Sequence, residues 1–223
     1  MSLWIKICGN TSLGDALVAA EAGADAVGFV FAASPRRVTA EQVAQIVPRL
    51  PAAVEKIGVF VDAEFDEIAA TVEAAGLTGV QLHFEAGSEL AARLRKRFGP
   101  ELRIMAVVHF DAGAVERATA MASDVHIDAL LVDSRTATAV GGTGVAYDWE
   151  AARGSIFGDD GSTKLIAAGG LTPENVAEAI ATLRPWGVDV VSGVEAAAGR
   201  KNPAKVRAFI ANARAAVDRG EKK

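Results

Sequence analysis

The sequence has one cysteine, Cys8, among its 223 residues, so it cannot form an intramolecular disulfide and its fold does not depend on an oxidising compartment. It has no run of about 20 apolar residues, so we expect no segment that crosses a bilayer. The amino terminus shows no basic segment followed by an apolar run and a small-residue cleavage site. These absences predict a soluble cytoplasmic protein.

The sequence also has little excess charge of either sign. There are 23 lysines and arginines against 28 aspartates and glutamates, which gives a formal net charge of −5. No group of basic residues is large enough to neutralise several phosphates, so we expect neither nucleic acid nor a membrane as a partner. The hydrophobic fraction is 51%, so the chain has enough apolar residues to form a core, and a globular protein is indicated.

The sequence does contain apolar, β-branched runs that alternate with amphipathic helical segments, as in repeated βα units around a parallel sheet. The predicted strands are 4–8, 26–31, 57–61, 79–83, 103–108, 129–133, 165–168 and 188–191. No G-x-G-x-x-G fingerprint follows the first strand, which argues against a dinucleotide fold. Eight strands in about 220 residues favour an α/β protein with one closed (β/α)8 TIM barrel. We expect a single domain over 1–223, with a frayed tail from about residue 219.

The first strand places Lys6 and Cys8 on the same, inward face, because successive side chains of a strand alternate between its two faces. Thr11 or Ser12 is suited to cap the helix that follows. Later helices have predicted caps at Thr39, which forms a capping box with Gln42, and at Asp62, Thr172 and Asn202. A lone buried cysteine often acts only as a small apolar side chain. A nearby cation and a helix amino terminus both favour the thiolate, however, which makes Cys8 a candidate reactive group.

In a (β/α)8 barrel, chemistry is carried by polar residues at the carboxyl ends of the strands and in the loops beyond them. The candidates at these positions are Cys8, Arg36, Gln81, His83, Asp133, Gly169, Gly170, Asp189, Ser192 and Gly193. The glycines after the last two strands allow a ligand to approach backbone amides, and these loops commonly bind phosphate in such barrels. Tight βα turns are the alternative explanation for the same glycines.

Asp133 ends an apolar strand, a position that suits a partly desolvated general acid, although a turn or helix cap is also compatible with it. Arg36 lies in a long loop, where its guanidinium could hold a carboxylate, and the spacing does not choose between Arg36 and Arg37. His109 and His126 have no partners at metal-ligand spacing, and His83 stands alone on its strand. We therefore predict no metal site.

Nine short motifs in order along the chain resemble the phosphoribosylanthranilate isomerase family of tryptophan biosynthesis. They are KICG at 6–9, GFVF at 28–31, SPR at 34–36, VFV at 59–61, VQLH at 80–83, LVD at 131–133, GGTG at 141–144, GGLTPENV at 169–176 and VVSGVE at 190–195. Each motif alone is weak evidence, but the ordered set covers nearly the whole chain. The resemblance implies an Amadori rearrangement of a phosphorylated small molecule, with no cofactor.

The resemblance also implies roles for individual residues. Asp133 would be the general acid and Cys8, as thiolate, the general base. Arg36 would hold the anthranilate carboxylate, and Gly169, Gly170, Ser192 and Gly193 would cradle the phosphate. Gln81, His83 and Asp189 would be further polar residues of the pocket. The chain departs from the family at Phe84, where glycine is usual, and at Met105, where lysine is common.

Three questions stay open at this point. The chain could be another phosphosugar-converting barrel, although the metal-ligating residues of an epimerase and the lysines and glutamates of an indole-glycerol-phosphate synthase are not in place. It could also be an inactive barrel that binds a phosphorylated ligand, although both members of the acid–base pair are present. Whether it is a monomer or a homodimer is the third question.

Overall fold

The computed structural model describes residues 3–83, 88–133, 148–158 and 163–220. Eight parallel strands form a closed barrel in chain order, with the last strand pairing back to the first. The strands are β1 (Trp4–Ile7), β2 (Ala26–Val30), β3 (Glu55–Val61), β4 (Gly79–His83), β5 (Arg103–His109), β6 (Ala129–Asp133), β7 (Lys164–Ala167) and β8 (Gly187–Val190). The predicted (β/α)8 architecture is confirmed.

Helices follow the strands and cover the outside of the barrel. They are α1 (Leu13–Glu21), α2 (Ala40–Ile46), α3 (Phe65–Ala75), α4 (Ser88–Phe98), α5 (Ala114–Ala122), α6 (Trp149–Ser155), α7 (Val176–Leu183) and α8 (Pro203–Gly220). Single 3₁₀ turns occupy Val47–Arg49 and Ser192–Val194. Over the part of the chain described, none of these helices combines the length and apolar character needed to cross a membrane.

The alternation of side chains along the strands produces two separate apolar cores. Ile5 and Ile7 of β1 face outward and pack into the large core between barrel and helices. Trp4 faces inward and belongs to a smaller core inside the barrel, where its ring stacks on Trp186 at 5.3 Å. The interior is therefore a filled core whose apolar layers support the polar layer above them.

The helix boundaries follow the predicted capping signals in several places. Ser12 caps α1 by accepting a hydrogen bond from the backbone N–H of Asp15. Thr39 and Gln42 form the predicted capping box of α2. Asn202 accepts from two backbone amides in the first turn of α8. In each case a side-chain oxygen satisfies amides that the helix itself leaves unpaired.

Two predicted helix caps are wrong. Asp62 does not cap α3, because its φ of 51° belongs to the turn after β3, and Glu64 is the residue before the helix. Thr172 does not begin α7. Its hydroxyl accepts from Glu174 N and its amide donates to Asn175 Oδ1, so that a separate turn precedes the helix. Both local patterns match a helix cap, but in each case further residues lie between the predicted cap and the first residue of the helix.

A short antiparallel hairpin between β8 and α8 was not predicted. It consists of β9 (Glu195–Ala197) and β10 (Arg200–Lys201). The loop of the hairpin contacts the loop after β1, where the Thr11 hydroxyl donates to the carbonyl of Gly199 over 2.6 Å. The hairpin thus lies beside the carboxyl end of the barrel.

Some predictions fall on residues outside those described. The GGTG motif at 141–144 and Phe84 are among these. The predicted frayed tail from about residue 219 falls partly there too. Helix α8 extends to Gly220, and the three residues after it are not described.

Candidate active site

Because the eight strands are parallel, their carboxyl ends meet at one rim, and the fold brings every predicted site residue to that end of the barrel. Cys8 follows β1 and Asp133 ends β6. In the closed strand order, β7 and β8 lie between them, and these two strands carry the predicted phosphate glycines. The predicted acid and base are therefore placed on the two sides of the predicted phosphate site.

Lys6 is fully buried inside the barrel, just below the rim. Its Nζ donates to Asp189 Oδ1 of β8 and to Gln81 Oε1 of β4, each over 2.8 Å. The Gln81 Nε2 lies 3.0 Å from His83 Nε2, and because the amide nitrogen is a donor, this histidine nitrogen accepts. A continuous hydrogen-bond chain therefore crosses the barrel from β8 through β1 to β4.

These hydrogen bonds define the partners of Gln81 and Asp189 in the folded protein. Both were predicted to bind substrate, and both are almost entirely buried with Lys6 as their partner. Burial disfavours the Lys6 ammonium, but the charges of Asp189 and Cys8 outweigh it, and the net result is a raised pKa for Lys6. Lys6 therefore stays charged beneath the rim.

Cys8 is buried, and its thiol interacts electrostatically with the Lys6 ammonium. Burial raises the pKa of the Cys8 thiol, and the opposing effect of Lys6 is not large enough to reverse the shift. The nearby cation favours the thiolate, as the sequence indicates, but burial outweighs it. The raised pKa favours the thiol over the thiolate at neutral pH.

Gly28 of β2 provides the space for this thiol. A Cβ placed on Gly28 would lie 2.5 Å from Cys8 Sγ and 3.0 Å from Lys6 Cε. Such distances are shorter than van der Waals contact, so any side chain at residue 28 would displace the thiol. The glycine of the GFVF motif thus fixes where Cys8 lies.

A second ion cluster lies at the mouth of the barrel. Arg36 donates to Glu195 in a two-pronged interaction, Nε to Oε1 at 2.8 Å and Nη2 to Oε2 at 2.7 Å. Lys201 Nζ also lies 3.3 Å from Glu195 Oε1, and the backbone N–H of Gly199 donates to the same oxygen. The Arg36 side chain packs against Gly9, the residue after Cys8.

The structure favours Arg36 over its neighbour as the residue directed at the site. Arg36 is buried in the Glu195 cluster, whereas Arg37 is exposed. Arg36 already holds a carboxylate through one edge of its guanidinium, but a guanidinium has five N–H donors and Glu195 occupies two of them. The remaining donors are compatible with a second carboxylate.

Three polar side chains end neighbouring strands on the opposite part of the rim. They are His83 of β4, His109 of β5 and Asp133 of β6. The rings of His83 and His109 lie 5.8 Å apart, and His109 is the register partner of Asp133. Asp133 is 2% exposed. The predicted acid is therefore a buried carboxyl group whose neighbour on the next strand is the His109 imidazole.

The glycines after β7 and β8 form two close-packed loops. Gly169 and Gly170 have φ values of 82° and 65°, in the left-handed region. A Cβ on Gly193 would lie 2.0 Å from the carbonyl oxygen of Leu171, so the two loops touch at this point. The Asn175 side chain holds the first loop by donating to the Gly170 carbonyl. This packing requires glycine and leaves backbone at the rim.

Met105, one of the two departures from the family pattern, is fully buried in the apolar core inside the barrel. It is the register partner of Gln81, so it lies next to the polar layer that contains Lys6. Among the described residues, no group of three or more histidine, cysteine, aspartate or glutamate side chains is arranged to hold a metal ion.

Sequence reasoning missed Glu195, Lys201 and Gly28 as parts of the site. Glu195 and Gly28 lie within motifs that the family resemblance already used, so a signal for them was present. Lys201 has no such signal, because it reaches the site only through the hairpin of β9 and β10.

Titratable side chains and glycine loops on the carboxyl rim of an eight-stranded parallel barrel define the class of (β/α)8-barrel enzymes. The family model described as N-(5′-phosphoribosyl)anthranilate (PRA) isomerase matches residues 5–212. The chain belongs to this family.

Relatives and solved structures agree with this membership. The chain is 43% identical over 207 residues to N-(5′-phosphoribosyl)anthranilate isomerase of Pelobacter propionicus, which covers 92% of this chain and 93% of the relative. It is 45% identical over 208 residues to that of Pseudomonas fluorescens, covering 92% and 95%. The crystal structure of the Thermotoga maritima phosphoribosyl anthranilate isomerase has a TM-score of 0.83 at 37% identity, covering 96% and 99%.

A second solved structure is of direct interest for the site. It is a phosphoribosyl anthranilate isomerase in complex with reduced 1-(o-carboxyphenylamino)-1-deoxyribulose 5-phosphate. Its TM-score to this chain is 0.80 at 35% identity, with 96% of this chain and 99% of the other covered. As a member of the family, this chain is an isomerase of tryptophan biosynthesis.

Proposed function

We propose that this chain converts N-(5′-phosphoribosyl)anthranilate to 1-(2-carboxyphenylamino)-1-deoxyribulose 5-phosphate, with Asp133 as general acid and Cys8 as general base. The match to the family model over residues 5–212 is the observation that supports this reaction. The residue roles are supported by one geometric observation. Cys8 and Asp133 lie on two sides of the glycine loops that follow β7 and β8, as a sugar bound by its phosphate requires.

The reaction needs one proton given and one proton removed. Asp133 protonates the ribose ring oxygen, the C1–O bond breaks, and the nitrogen lone pair forms a protonated Schiff base at C1. This cation makes the hydrogen on C2 acidic. Cys8 as thiolate removes that proton, and the electrons form the enolamine, which tautomerises to the ketone. Each assisted proton transfer contributes about 10²–10⁴-fold.

The raised pKa of Cys8 affects the base step in two opposite ways. A smaller fraction of the thiol is ionised at neutral pH, but the thiolate that forms is a stronger base. The Lys6 ammonium stabilises the thiolate and limits the rise of the pKa. Lys6 is thus a positioning and electrostatic residue for Cys8, and its raised pKa makes it a poor proton donor to the substrate.

The remaining predicted residues bind the two ends of the substrate. The amides of Gly169, Gly170, Ser192 and Gly193 approach the phosphate, and the unused donors of Arg36 hold the anthranilate carboxylate. Gln81 and Asp189 act through Lys6, to which both are bonded. His83 contributes its ring to the part of the rim that also holds His109.

We further propose that the protein works in the cytoplasm on a free small-molecule substrate, as its single cysteine and its biosynthetic family favour. It acts as a monomer or a homodimer. The Thermotoga maritima relative is described as dimeric. Light scattering on the purified protein distinguishes the two states.

The test is an assay of purified protein with freshly generated phosphoribosylanthranilate, whose fluorescence falls on conversion. We expect rapid loss of fluorescence and formation of the phosphorylated ketose. A folded protein that leaves the substrate unchanged would refute the assigned activity. Conversion of a different phosphosugar in its place would identify another reaction of the same class of barrel.

A further inference from the structure

His109 is a rim residue to which neither the resemblance nor the proposed mechanism gives a role. It is the last residue of β5, and Met105 and Val107 of the same strand face the barrel interior. Since side chains two residues apart share a strand face, His109 also points inward, at the top of the barrel. Its ring lies 5.8 Å from that of His83, which confirms this direction.

The Nδ1 atom of His109 is buried and has no hydrogen-bond partner among the residues that the structure describes. Buried polar atoms in folded proteins are nearly always paired, so an unpaired one calls for an explanation. The backbone of the same residue is well anchored, because its carbonyl accepts from Arg117 Nη2 over 2.9 Å. The side chain, in contrast, lies on the inward face of β5 and carries this unpaired nitrogen.

We propose that His109 binds the substrate, through a hydrogen bond between Nδ1 and a hydroxyl group of the ribose. The inference rests on the proposed function and adds a binding residue to the same site. Asp133, the proposed acid, is the register partner of His109 on the next strand. A sugar that reaches Asp133 therefore comes within range of the His109 ring.

The position of His109 favours a ribose hydroxyl as its hydrogen-bond partner over either anionic group of the substrate. The phosphate loops follow β7 and β8, and the arginine for the carboxylate follows β2, whereas β5 lies across the barrel from β1. The part of the substrate that faces β5 is thus the sugar between its charged ends. A hydroxyl both donates and accepts, so it pairs with Nδ1 in either tautomer of the imidazole.

The experiment compares three variants with the wild type. His109→Phe keeps an aromatic ring and removes both nitrogens. His109→Asn keeps a polar group near the position of Nδ1. His126→Leu is the matched control, because His126 lies in the turn before β6, at the opposite end of the barrel from the rim. Circular dichroism checks that each variant folds, and His109→Leu replaces His109→Phe if the latter does not.

Two quantities are measured for each variant. One is the dissociation constant of reduced 1-(o-carboxyphenylamino)-1-deoxyribulose 5-phosphate, by calorimetric titration, and the other is the split between kcat and KM. We expect His109→Phe to raise both the dissociation constant of the analogue and KM by about 3- to 10-fold, the usual effect of losing one neutral hydrogen bond. His109→Asn recovers at least half of the loss, and His126→Leu matches the wild type.

Two results would overturn the proposal. One is analogue binding by His109→Phe equal to that of His126→Leu, and the other is an asparagine variant as weak as the phenylalanine variant. The wild-type measurements separate this failure from that of the proposed function. If the wild type neither turns over phosphoribosylanthranilate nor binds the analogue, the activity is wrong. If it does both and the His109 variants are unaffected, only the role of His109 is wrong.

Discussion

Two buried ion clusters lie close to Cys8, and they are built in different ways. The strand cluster consists of Lys6, Gln81 and Asp189, all from strands of the barrel. The hairpin cluster consists of Arg36, Glu195 and Lys201, which come from the loop after β2 and from the hairpin. The first lies inside the barrel and the second at its mouth.

The two clusters also differ in charge. The strand cluster pairs one cation with one carboxylate, so it carries no surplus charge. The hairpin cluster has two cations around one carboxylate and keeps a surplus of one positive charge. A neutral, saturated cluster holds Cys8 in a fixed environment, whereas a cluster with a surplus cation attracts an anionic group. These charges favour the strand cluster for positioning the proposed base and the hairpin cluster for substrate capture.

The largest expected effect comes from the two residues that neither cluster can replace. Cys8→Ala and Asp133→Asn should each lower kcat by about 10²–10⁴-fold, because each removes one assisted proton transfer. Steady-state kinetics measure the loss, and binding of the reduced product analogue shows that the site is intact. Near-normal turnover in either variant would exclude the role proposed for that residue.

The next effect tests the strand cluster. Lys6→Met leaves the Asp189 carboxylate buried without its cation, which should lower the free energy of unfolding by about 3–5 kcal/mol. Urea denaturation measures this loss. The double variant Lys6→Met with Asp189→Asn removes the unpaired charge and should regain part of it. If the double variant is no more stable than the single one, the ion pair does not explain the loss.

A smaller effect tests the hairpin cluster. Glu195→Gln removes the charge that aligns the Arg36 guanidinium, so KM should rise about tenfold, equivalent to about 1.4 kcal/mol of binding, with kcat little changed. Glu55→Gln is the matched control. Glu55 makes the same two-pronged pair with Arg103, but at the amino ends of β3 and β5.

The control variant should keep a wild-type KM, although it loses a similar pair of hydrogen bonds. An equal rise in KM in both variants would mean that the hairpin cluster acts only through general stability. An unchanged KM in Glu195→Gln would mean that the carboxylate of the substrate does not depend on the orientation of Arg36.

The smallest effect is a pH dependence of stability. Burial raises the pKa of Glu195, but the hydrogen bond from Arg36 and the charges of Lys201 and Arg36 outweigh it, so the net pKa is lowered. A lowered pKa in the folded state contributes stability that is present above the ordinary glutamate pKa, about 4.3, and is lost as the pH falls through the folded value. Urea midpoints of wild type and Glu195→Gln should converge on acidification below about pH 4. A constant difference down to pH 3 would contradict the shift.

Local patterns allowed much of the strand cluster to be predicted. The alternation along β1 placed Lys6 and Cys8 inside the barrel, because strand side chains alternate regardless of what surrounds them. It did not predict the direction of the Cys8 pKa shift. That direction depends on how much water the finished barrel excludes, and burial there outweighs the lysine.

The hairpin cluster could not be predicted in the same way. Arg36 and Glu195 are 159 residues apart in sequence, and no local pattern indicates which carboxylate an arginine will meet. From the sequence, Arg36 is expected to hold the carboxylate of a ligand, whereas in the structure it holds the carboxylate of Glu195. The closed strand order brings the loops after β2 and β8 to neighbouring positions around β1.

By itself the sequence determined the eight βα units, the capping box of Thr39 and Gln42, and the residues that end each strand, because these depend on periodicity and on groups only a few residues apart. Tertiary structure alone decided which of those ends meet, how deeply Cys8 is buried, and that Nδ1 of His109 finds no partner within the described part of the chain. Such properties depend on closure of the barrel, which excludes water and joins groups from distant parts of the chain.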